Sequence, residues 1–412
     1  MKVAIIHYWL VGMRGGEKVL DQLCQMYPDA DIYTHVVDRG RISDTILRHR
    51  IETTFISKLP RALKYYQKYL PLMPLALEQL DLRDYDLIIS SESGPAKGII
   101  PMAGATHVCY CHSPMRYIWN MHHDYSSGLG RIAKPIFDLT AHYLRMWDSV
   151  GAYRVDRFVA NSANVARRIA RYYDRQADVV FPPVDVSRFR PSVTDDGFYL
   201  VAGQLVGYKR VDLAIRAFNQ MGKRLVVAGA GEQYDELRKI AGPTISMPGH
   251  VPDKTLDDLF ARCRALVFPG EEDFGIIPVE AMASGKPVIA YGRGGALETI
   301  VGDASGMFFR EQSIASLMDA VDRFERDGVM MTPYEIAAHA RRFDIPVFRQ
   351  RMSRAIELAM CSSPAETVDF LGPVQVNPQD AAHAQVSVRA LDGVAAEETS
   401  SFPAAVRRGG FR

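Results

Sequence analysis

Cysteine is scarce in this chain: five in 412 residues, an odd number. Cys24, Cys109, Cys111, Cys263 and Cys361 follow no framework spacing. That excludes a disulfide-stapled fold and suits a reducing compartment. Cys109 and Cys111 would share one face of a strand and are expected to be buried core thiols, not a CxC metal or redox site. No apolar run reaches about 18 residues, the length a membrane-spanning helix needs. The opening MKVAIIHYWL has one lysine, no small-residue cleavage site and a glycine-rich turn behind it, so it is expected to be a first strand and not a signal peptide. Net charge is also nearly missing, at +1 from 49 Lys and Arg against 48 Asp and Glu. The balance argues against a nucleic-acid partner. It is uneven, however: residues 1–178 carry net +5 and residues 179–345 carry net −4.

What is present is an ordinary globular composition, 48% apolar and 24% charged, over a length that suits two or three domains. Short apolar runs alternate with helical patterns. In the first half the strand-like runs are residues 3–7, 31–36, 87–90, 106–111 and 157–160, with helical periodicity at 17–26 and 132–150. In the second half they are 198–202, 224–228, 244–247, 265–268, 287–290 and 307–309, separated by five helical patterns. Such alternation predicts an α/β protein with two doubly wound parallel sheets. Pro182-Pro183 and the polar loop behind them set a boundary between domains over 1–181 and 182–345. A helix over 346–361 is expected to return to the first domain. Residues 362–412, rich in Ala, Pro and Ser, are expected to be a mostly disordered tail. Residues 58–80 mix Lys58, Arg61, Lys64 and Lys68 with Tyr and Leu. That suits an interfacial helix at an anionic membrane, and equally a solvated helix with a buried apolar face. Pro60, Pro71 and Pro74 should break it into short pieces.

The strongest constellation lies in PGEEDFGIIPVEAMASG, residues 269–285. Glu272 falls in the turn after a strand and Glu280 inside the following helix. In a parallel sheet such turns lie at the carboxyl edge, where ligands bind. Backbone N–H groups of Phe274, Gly275 and Ile276 open a helix there and suit phosphate or sugar oxygens. The acidic cluster would also favour the helix dipole by itself, but that does not account for Glu280. In the first domain, Gly15 and Gly16 follow the first strand and permit close backbone approach. His112 ends another strand in CHSPMRY. Glu92 also ends a strand, where it meets the acceptor or simply closes the element.

The run EDFGIIPVEAMASGKPVIA resembles the E-x7-E signature of the retaining glycosyltransferases of family 4, which have the two-domain GT-B fold. LVAGQLVGYKRVDLAI, LVVAGAG, FVANS and GHVPD are similar to further family segments, in order, and the resemblance covers roughly residues 1–360. It implies two Rossmann-like domains facing across a cleft. It makes Glu272 a ligand of the donor sugar, Glu280 a ribose ligand, and Lys209 with Arg210 holders of the diphosphate. Gln204 stands where the family usually has arginine. Lys209 and Arg210 then suffice, another arginine such as Arg14 or Arg293 compensates, or activity is reduced. His250, Val251 and Asp253 fall on the nucleobase-side loop, where Asp253 is equally an N-cap. His112, Lys209 and Glu272 are the expected catalytic residues, and Glu92 and Arg116 the acceptor side.

The resemblance implies a retaining transfer of a hexose, with mannose from GDP-mannose preferred, to a glycan or polyprenyl-linked acceptor in surface polysaccharide biosynthesis. The alternatives are a UDP-sugar-using transferase of the same family, a nucleotide-sugar epimerase of the same fold, and a non-catalytic sugar-nucleotide-binding protein. The expected place is the cytoplasm, at the inner face of the plasma membrane. No cofactor is expected beyond the nucleotide sugar as co-substrate. No metal site is expected either: Asp29-Ala30-Asp31 suits a turn, and His122, His123 and Asp124 diverge as adjacent residues on a helix.

Overall fold

The computed structural model describes residues 1–361. The disorder expected of residues 362–412 lies outside the described residues. The first sheet contains β1 (Val3–His7), β2 (Asp31–Thr34), β3 (Ile51–Thr53), β4 (Leu87–Glu92), β5 (Thr106–Cys111), β6 (Arg157–Ala160) and β7 (Ala177–Val179), in the order β3-β2-β1-β4-β5-β6-β7. The second contains β8 (Tyr199–Ala202), β9 (Leu225–Ala228), β10 (Ile245–Gly249), β11 (Leu266–Phe268), β12 (Val288–Tyr291) and β13 (Gly306–Phe309), in the order β10-β9-β8-β11-β12-β13. All pairings between them are parallel. The two parallel α/β sheets expected from the sequence are both there.

Central strands β1, β4 and β5 are buried along their whole length. Helices cover both faces of a parallel sheet, so its inner strands are continuous apolar runs. The edge strands β3 and β7 escape that signal. Each is three half-buried residues with an acid in the middle, Ile-Glu-Thr and Ala-Asp-Val. The final helix, Ile345–Cys361, buries Phe348, Met352, Ala355 and Ile356 in the core of the first sheet, beside Val3, Ile5 and Leu20. The chain therefore crosses between the sheets twice. The crossings run side by side, with Val184 N–H donating to Phe343 C=O at 3.0 Å and a parallel bridge from Val184 to Asp344.

Residues 58–80 contain no long helix. They form a turn of helix at Ala62–Tyr65, a 3₁₀ stretch at Tyr66–Leu72 and a short helix at Met73–Glu78. Pro71 and Pro74 lack the donors a continuous helix requires. Among the described residues no helix is long and apolar enough to cross a membrane.

Candidate active site

In each sheet the strand order reverses once, and there the loops diverge to leave a crevice. In the second sheet the reversal falls between β8 and β11. The loop after β8 carries Gln204 and Lys209, and the loop after β11 carries Glu272; these three residues with Gly270 line one pocket. Lys209 Nζ stands 2.8 Å from Glu272 Oε1, and both side chains are largely buried. Burial works against the Lys209 ammonium, but the adjacent carboxylate outweighs it and holds the pKa above that of an ordinary lysine. The ammonium therefore keeps its charge.

Glycine builds this pocket by letting backbones touch. A Cβ on Gly229 would lie 1.8 Å from the carbonyl oxygen of Gly203, and one on Gly231 2.2 Å from that of Leu205. The loop after β9 thus clamps the loop that carries Gln204. A Cβ on Gly270 would lie 2.7 Å from Lys209 Cα. Gly275 opens the helix Ile276–Ala283 at φ +87°, a conformation that suits glycine.

In the first sheet the reversal falls between β1 and β4, which pair His7 with Ser91 at their carboxyl ends. His7 Nδ1 and Ser91 Oγ are 3.1 Å apart, and Ser91 Oγ and His112 Nε2 are 2.9 Å apart. Glu17, buried in the first turn of the helix Gly15–Met26, reaches within 3.9 Å of His7 Nε2. A buried chain therefore runs from Glu17 through His7 and Ser91 to His112. Burial, with His7 beside it, pushes the His112 pKa down to about 3. At neutral pH His112 is an uncharged hydrogen-bonding group, not a proton reservoir.

The helix start at Ile276 joins the two sides. A Cβ on Gly15 would lie 3.1 Å from Ile276 Cδ1, while Gly203, on the other side, faces Ile277 and Lys209 Nζ. A Cβ on Gly16 would lie 2.4 Å from Tyr8 Oη and 3.6 Å from His112 Nε2. A side chain at Gly16 would displace the Tyr8 hydroxyl, and one at Gly15 would press on the Ile276 methyl. Charged groups tie the halves together. Lys18 Nζ meets Glu280 Oε1 at 3.1 Å. Asp273 pairs with Arg168 and lies 3.7 Å from Arg116. Glu298 accepts from the amides of Ala163 and Asn164, at 2.6 and 2.8 Å. Those amides open the helix Ala163–Tyr173, whose positive end favours a carboxylate.

The structure thus gathers His112, Gly15, Gly16, Gln204, Lys209, Glu272, Gly275, Ile276 and Glu280 around one junction. Arg116 joins them, turned toward Asp273 and 5.5 Å from the Tyr208 ring. The other expected residues have different surroundings. Glu92 is a correction: it is fully buried and bonded to Lys97 Nζ at 2.8 Å and to Lys97 N–H at 2.7 Å, so no acceptor reaches it. Arg210 adopts φ 51° and pairs with Asp212, outside the pocket lining. Phe274 packs its ring into the core against Phe181 and Phe343, which leaves beside the helix start the backbone, the part of it that the sequence pointed to. Asp253 is not an N-cap. It is the first helical residue behind Pro252, its side chain exposed and 3.6 Å from Arg188. It follows β10, two strands from the reversal, as do the exposed His250 and half-buried Val251.

Sequence reasoning missed His7, Ser91, Lys18, Arg168, Asp273 as an ion-pair partner, and Glu298. His7 and Ser91 carried a signal, as polar residues closing apolar strands. The others are defined by partners more than 100 residues away. Asp29 and Asp31 fall in the turn and strand start expected of them. His122 pairs with Asp138 at 3.1 Å and stacks on Phe137. Among the described residues no cluster of His, Cys, Asp or Glu is grouped to hold a metal ion.

Comparison with known proteins agrees with this geometry. The model for Glycosyltransferase Family 4 matches residues 13–188, and that for Glycosyl transferases group 1 matches residues 185–342. A D-inositol 3-phosphate glycosyltransferase of Nocardia farcinica is 27% identical over 222 residues, 46% of this chain and 49% of that protein. The alpha-1,3/1,6-mannosyltransferase ALG2 of Saccharomyces cerevisiae is 25% identical over 374 residues, 74% of this chain and 72% of that protein. The chain spans about half the length of the first curated relatives it matches, the Nocardia protein and a Catenulispora acidiphila homologue. In fold it is similar to Anabaena Alr3699/HepE, solved in complex with UDP-glucose (TM-score 0.65, 18% identity, 87% of this chain and 100% of that one). It is also similar to sucrose-phosphate synthase of Thermosynechococcus elongatus (TM-score 0.66, 16% identity, 88% and 100%). With two family models end to end over two parallel sheets, the chain belongs to the glycosyltransferases of family 4.

Proposed function

We propose that the protein is a retaining glycosyltransferase that moves a hexose, mannose from GDP-mannose, to a glycan or polyprenyl-linked acceptor in surface polysaccharide biosynthesis. The observation that carries this reading is the Lys209–Glu272 pair at the strand reversal, beside a helix start and across from a neutral His112. A diphosphate leaving group gains charge as the glycosidic bond breaks, and a fixed ammonium with helix-end amides stabilises it. When the donor arrives, its phosphate takes over Lys209, and Glu272 is freed to accept from sugar hydroxyls. The acceptor hydroxyl gives its proton to the departing phosphate oxygen as the new bond forms on the same face. Neither glutamate serves as a nucleophile. Glu280, held by Lys18, accepts from the ribose. The mannosyl donor follows the similarity to the yeast mannosyltransferase over most of the chain. The partners are then the nucleotide sugar, the acceptor and the anionic inner face of the plasma membrane, from the cytoplasmic side.

A second reading keeps the reaction and changes the donor. It is favoured by structural neighbours solved with UDP and UDP-glucose. Purified protein incubated with GDP-mannose, UDP-glucose and UDP-N-acetylglucosamine, with and without a lipid extract, separates the readings by nucleotide release. Release from GDP-mannose alone supports the first. Release from a UDP-sugar alone replaces it with the second. No release from any donor removes both.

A further inference from the structure

The longest helix of the first domain, Ala133–Ala152, is built inside out. Its inward face buries Ala141, Leu144, Gly151 and Ala152 together with a carboxylate, Asp148, which is bonded to Lys97, Tyr173 and Trp119. Its outward face is apolar. Ile132, Ile136, Leu139, Tyr143, Met146 and Val150 are all exposed, Ile132 and Leu139 by 81% and 71%. They recur at steps of four and three residues, which places them in one stripe down the helix. A stripe of about 30 Å (20 residues at about 1.5 Å each) is not the scattered apolar exposure of an ordinary surface.

The charge beside the stripe identifies what covers it. The neighbouring segment packs against the same helix, through Leu70 in the cluster of Ala141 and Leu144 and through Glu78 accepting from Trp147 Nε1 at 3.0 Å. Residues 58–77 hold Lys58, Arg61, Lys64 and Lys68 and no acid. All four are exposed, as are Leu63 among them and Leu72 and Leu75 just beyond. Arg131 and Lys134 add two cations at the start of the stripe. On the helix itself, Asp148 is buried and Asp138 is engaged by Lys134 and His122. A second copy of the chain would bring two such basic surfaces together. It would also find Thr140, His142 and Ser149 beside the stripe, where a coiled-coil seam carries paired charges.

We propose that this face docks on an anionic lipid surface, with the helix Ala133–Ala152 as its apolar anchor and the 58–68 cations as its electrostatic rim. The inference rests on the membrane partner in the functional reading above and assigns that contact to a specific surface. The stripe lies outside the strand reversals, yet it is linked to them. Met115 and Ile118 pack under the helix, Arg145 Nε donates to Ile118 C=O at 2.5 Å, and Arg116 between them reaches the second domain. Docking here brings lipid to the first-domain mouth of the cleft, where a lipid-linked acceptor would enter.

Co-sedimentation of the full chain with phosphatidylglycerol–phosphatidylcholine vesicles, without donor or acceptor, tests this. Binding is expected to the anionic vesicles, weakly or not at all to pure phosphatidylcholine, and to fall at high salt. Leu139→Glu and Met146→Glu should each weaken it about tenfold. Lys64→Glu with Lys68→Glu should weaken it about fivefold for each charge removed. Nucleotide release by these variants in solution should equal that of the parent, which shows that they fold. Equal vesicle binding by parent and variants would overturn the proposal. So would a concentration-dependent dimer that Leu139→Glu dissolves, because a second copy would then cover the stripe. Should donor turnover be absent from the parent while vesicle binding behaves as expected, the functional reading fails and the docking surface stands.

Discussion

The two sheet reversals that meet at the cleft are built from opposite materials. The first presents an uncharged His112, bonded to Ser91, which in turn contacts His7, and its proton is removed by burial. The second presents ions: Lys209 against Glu272, with Glu280 in the helix that follows directly. A hydrogen-bond chain that ends on an uncharged His112 fixes geometry, whereas paired ions can exchange partners when a charged ligand arrives. The first edge is thus suited to orienting a sugar. The second is suited to receiving an anionic ligand, because the Lys209 ammonium is already fixed there and provisionally neutralised by Glu272. The division also explains the uneven charge. Three cations of the first half, Arg116, Arg168 and Lys18, reach across to acids of the second half.

The largest effect should come from breaking the ionic edge. Lys209→Met removes the fixed cation beneath the leaving group. The expected loss in kcat/KM is about 10²–10³-fold, as for other single groups that stabilise developing charge. The same substitution should leave the chain folded, because Glu272 then needs only solvent or a proton. Steady-state nucleotide release measures it. A loss below threefold would mean that the diphosphate does not reach this edge, and the contrast between the two edges would lose its chemical meaning.

Glu280→Gln is the next step down. It keeps the shape, removes the charge and releases Lys18. A hydrogen bond to an ionised group contributes about 1.5–3 kcal/mol, so the donor KM should rise at least tenfold with kcat little changed. Lys18→Met should raise KM less, since it removes only the partner that orients the carboxylate. Donor titrations on both variants check the order. Equal effects on kcat instead would place Glu280 at the reacting atoms.

Asp273 governs whether the two edges meet at all. Asp273→Asn leaves Arg168 and Arg116 without their anion while touching neither Lys209 nor Glu272. A few-fold rise in donor KM and a larger radius of gyration in small-angle scattering are expected. Glu298→Gln should act in the same direction, more weakly, because an amide oxygen still caps the helix at Ala163. A closed shape unchanged in both variants would show that the halves are held by the paired crossings at Val184 and Asp344 and by the Lys18–Glu280 pair.

How far this contrast could be seen in the sequence depended on distance along the chain. The ionic edge was legible because Glu272, Gly275 and Glu280 lie in one contiguous strand–turn–helix run, and because the loop with Gln204 and Lys209 follows an apolar strand. The two sheets were legible through their buried central strands. What was not legible is pairing. Glu92 looked like a cleft residue because it closes a strand. Its true partner, Lys97, draws it into the interior, and Lys97 is shared with Asp148, in a helical pattern 56 residues further on. The outward apolar stripe of that same helix was hidden for a related reason. Periodicity shows that a helix has an apolar side, but not which side the fold will cover. Edge strands β3 and β7 were lost because half-exposed strands with a central acid carry no apolar run.

The smallest effect expected is on stability, and it should fall on one half only. His35 and His107 of the first sheet are pushed down to about 4 by burial, and His112 to about 3. An unfolded chain protonates histidine near 6.5. Between these values the unfolded state binds more protons than the folded one, so acid favours unfolding. The stabilisation from keeping these rings neutral is therefore whole above about pH 6.5 and declines as pH falls toward 4. Glu92 works the other way. Burial raises its carboxyl well above the usual carboxylate range, against the pull of Lys97 and with the push of Asp148, so protonation there favours the folded state as pH falls below neutrality. Three histidines outweigh one glutamate, and the thermal midpoint should fall by several degrees from pH 7.5 to pH 5. Glu92→Gln should steepen that fall, because it removes the one opposing group. Hydrogen exchange at the two pH values locates the change: amides of β1, β4 and β5 should lose protection, while those of β8, β11 and β12 should not. Equal loss in both sheets would show that the buried histidines of the first half do not set its acid sensitivity, and that its neutrality is a matter of the cleft alone.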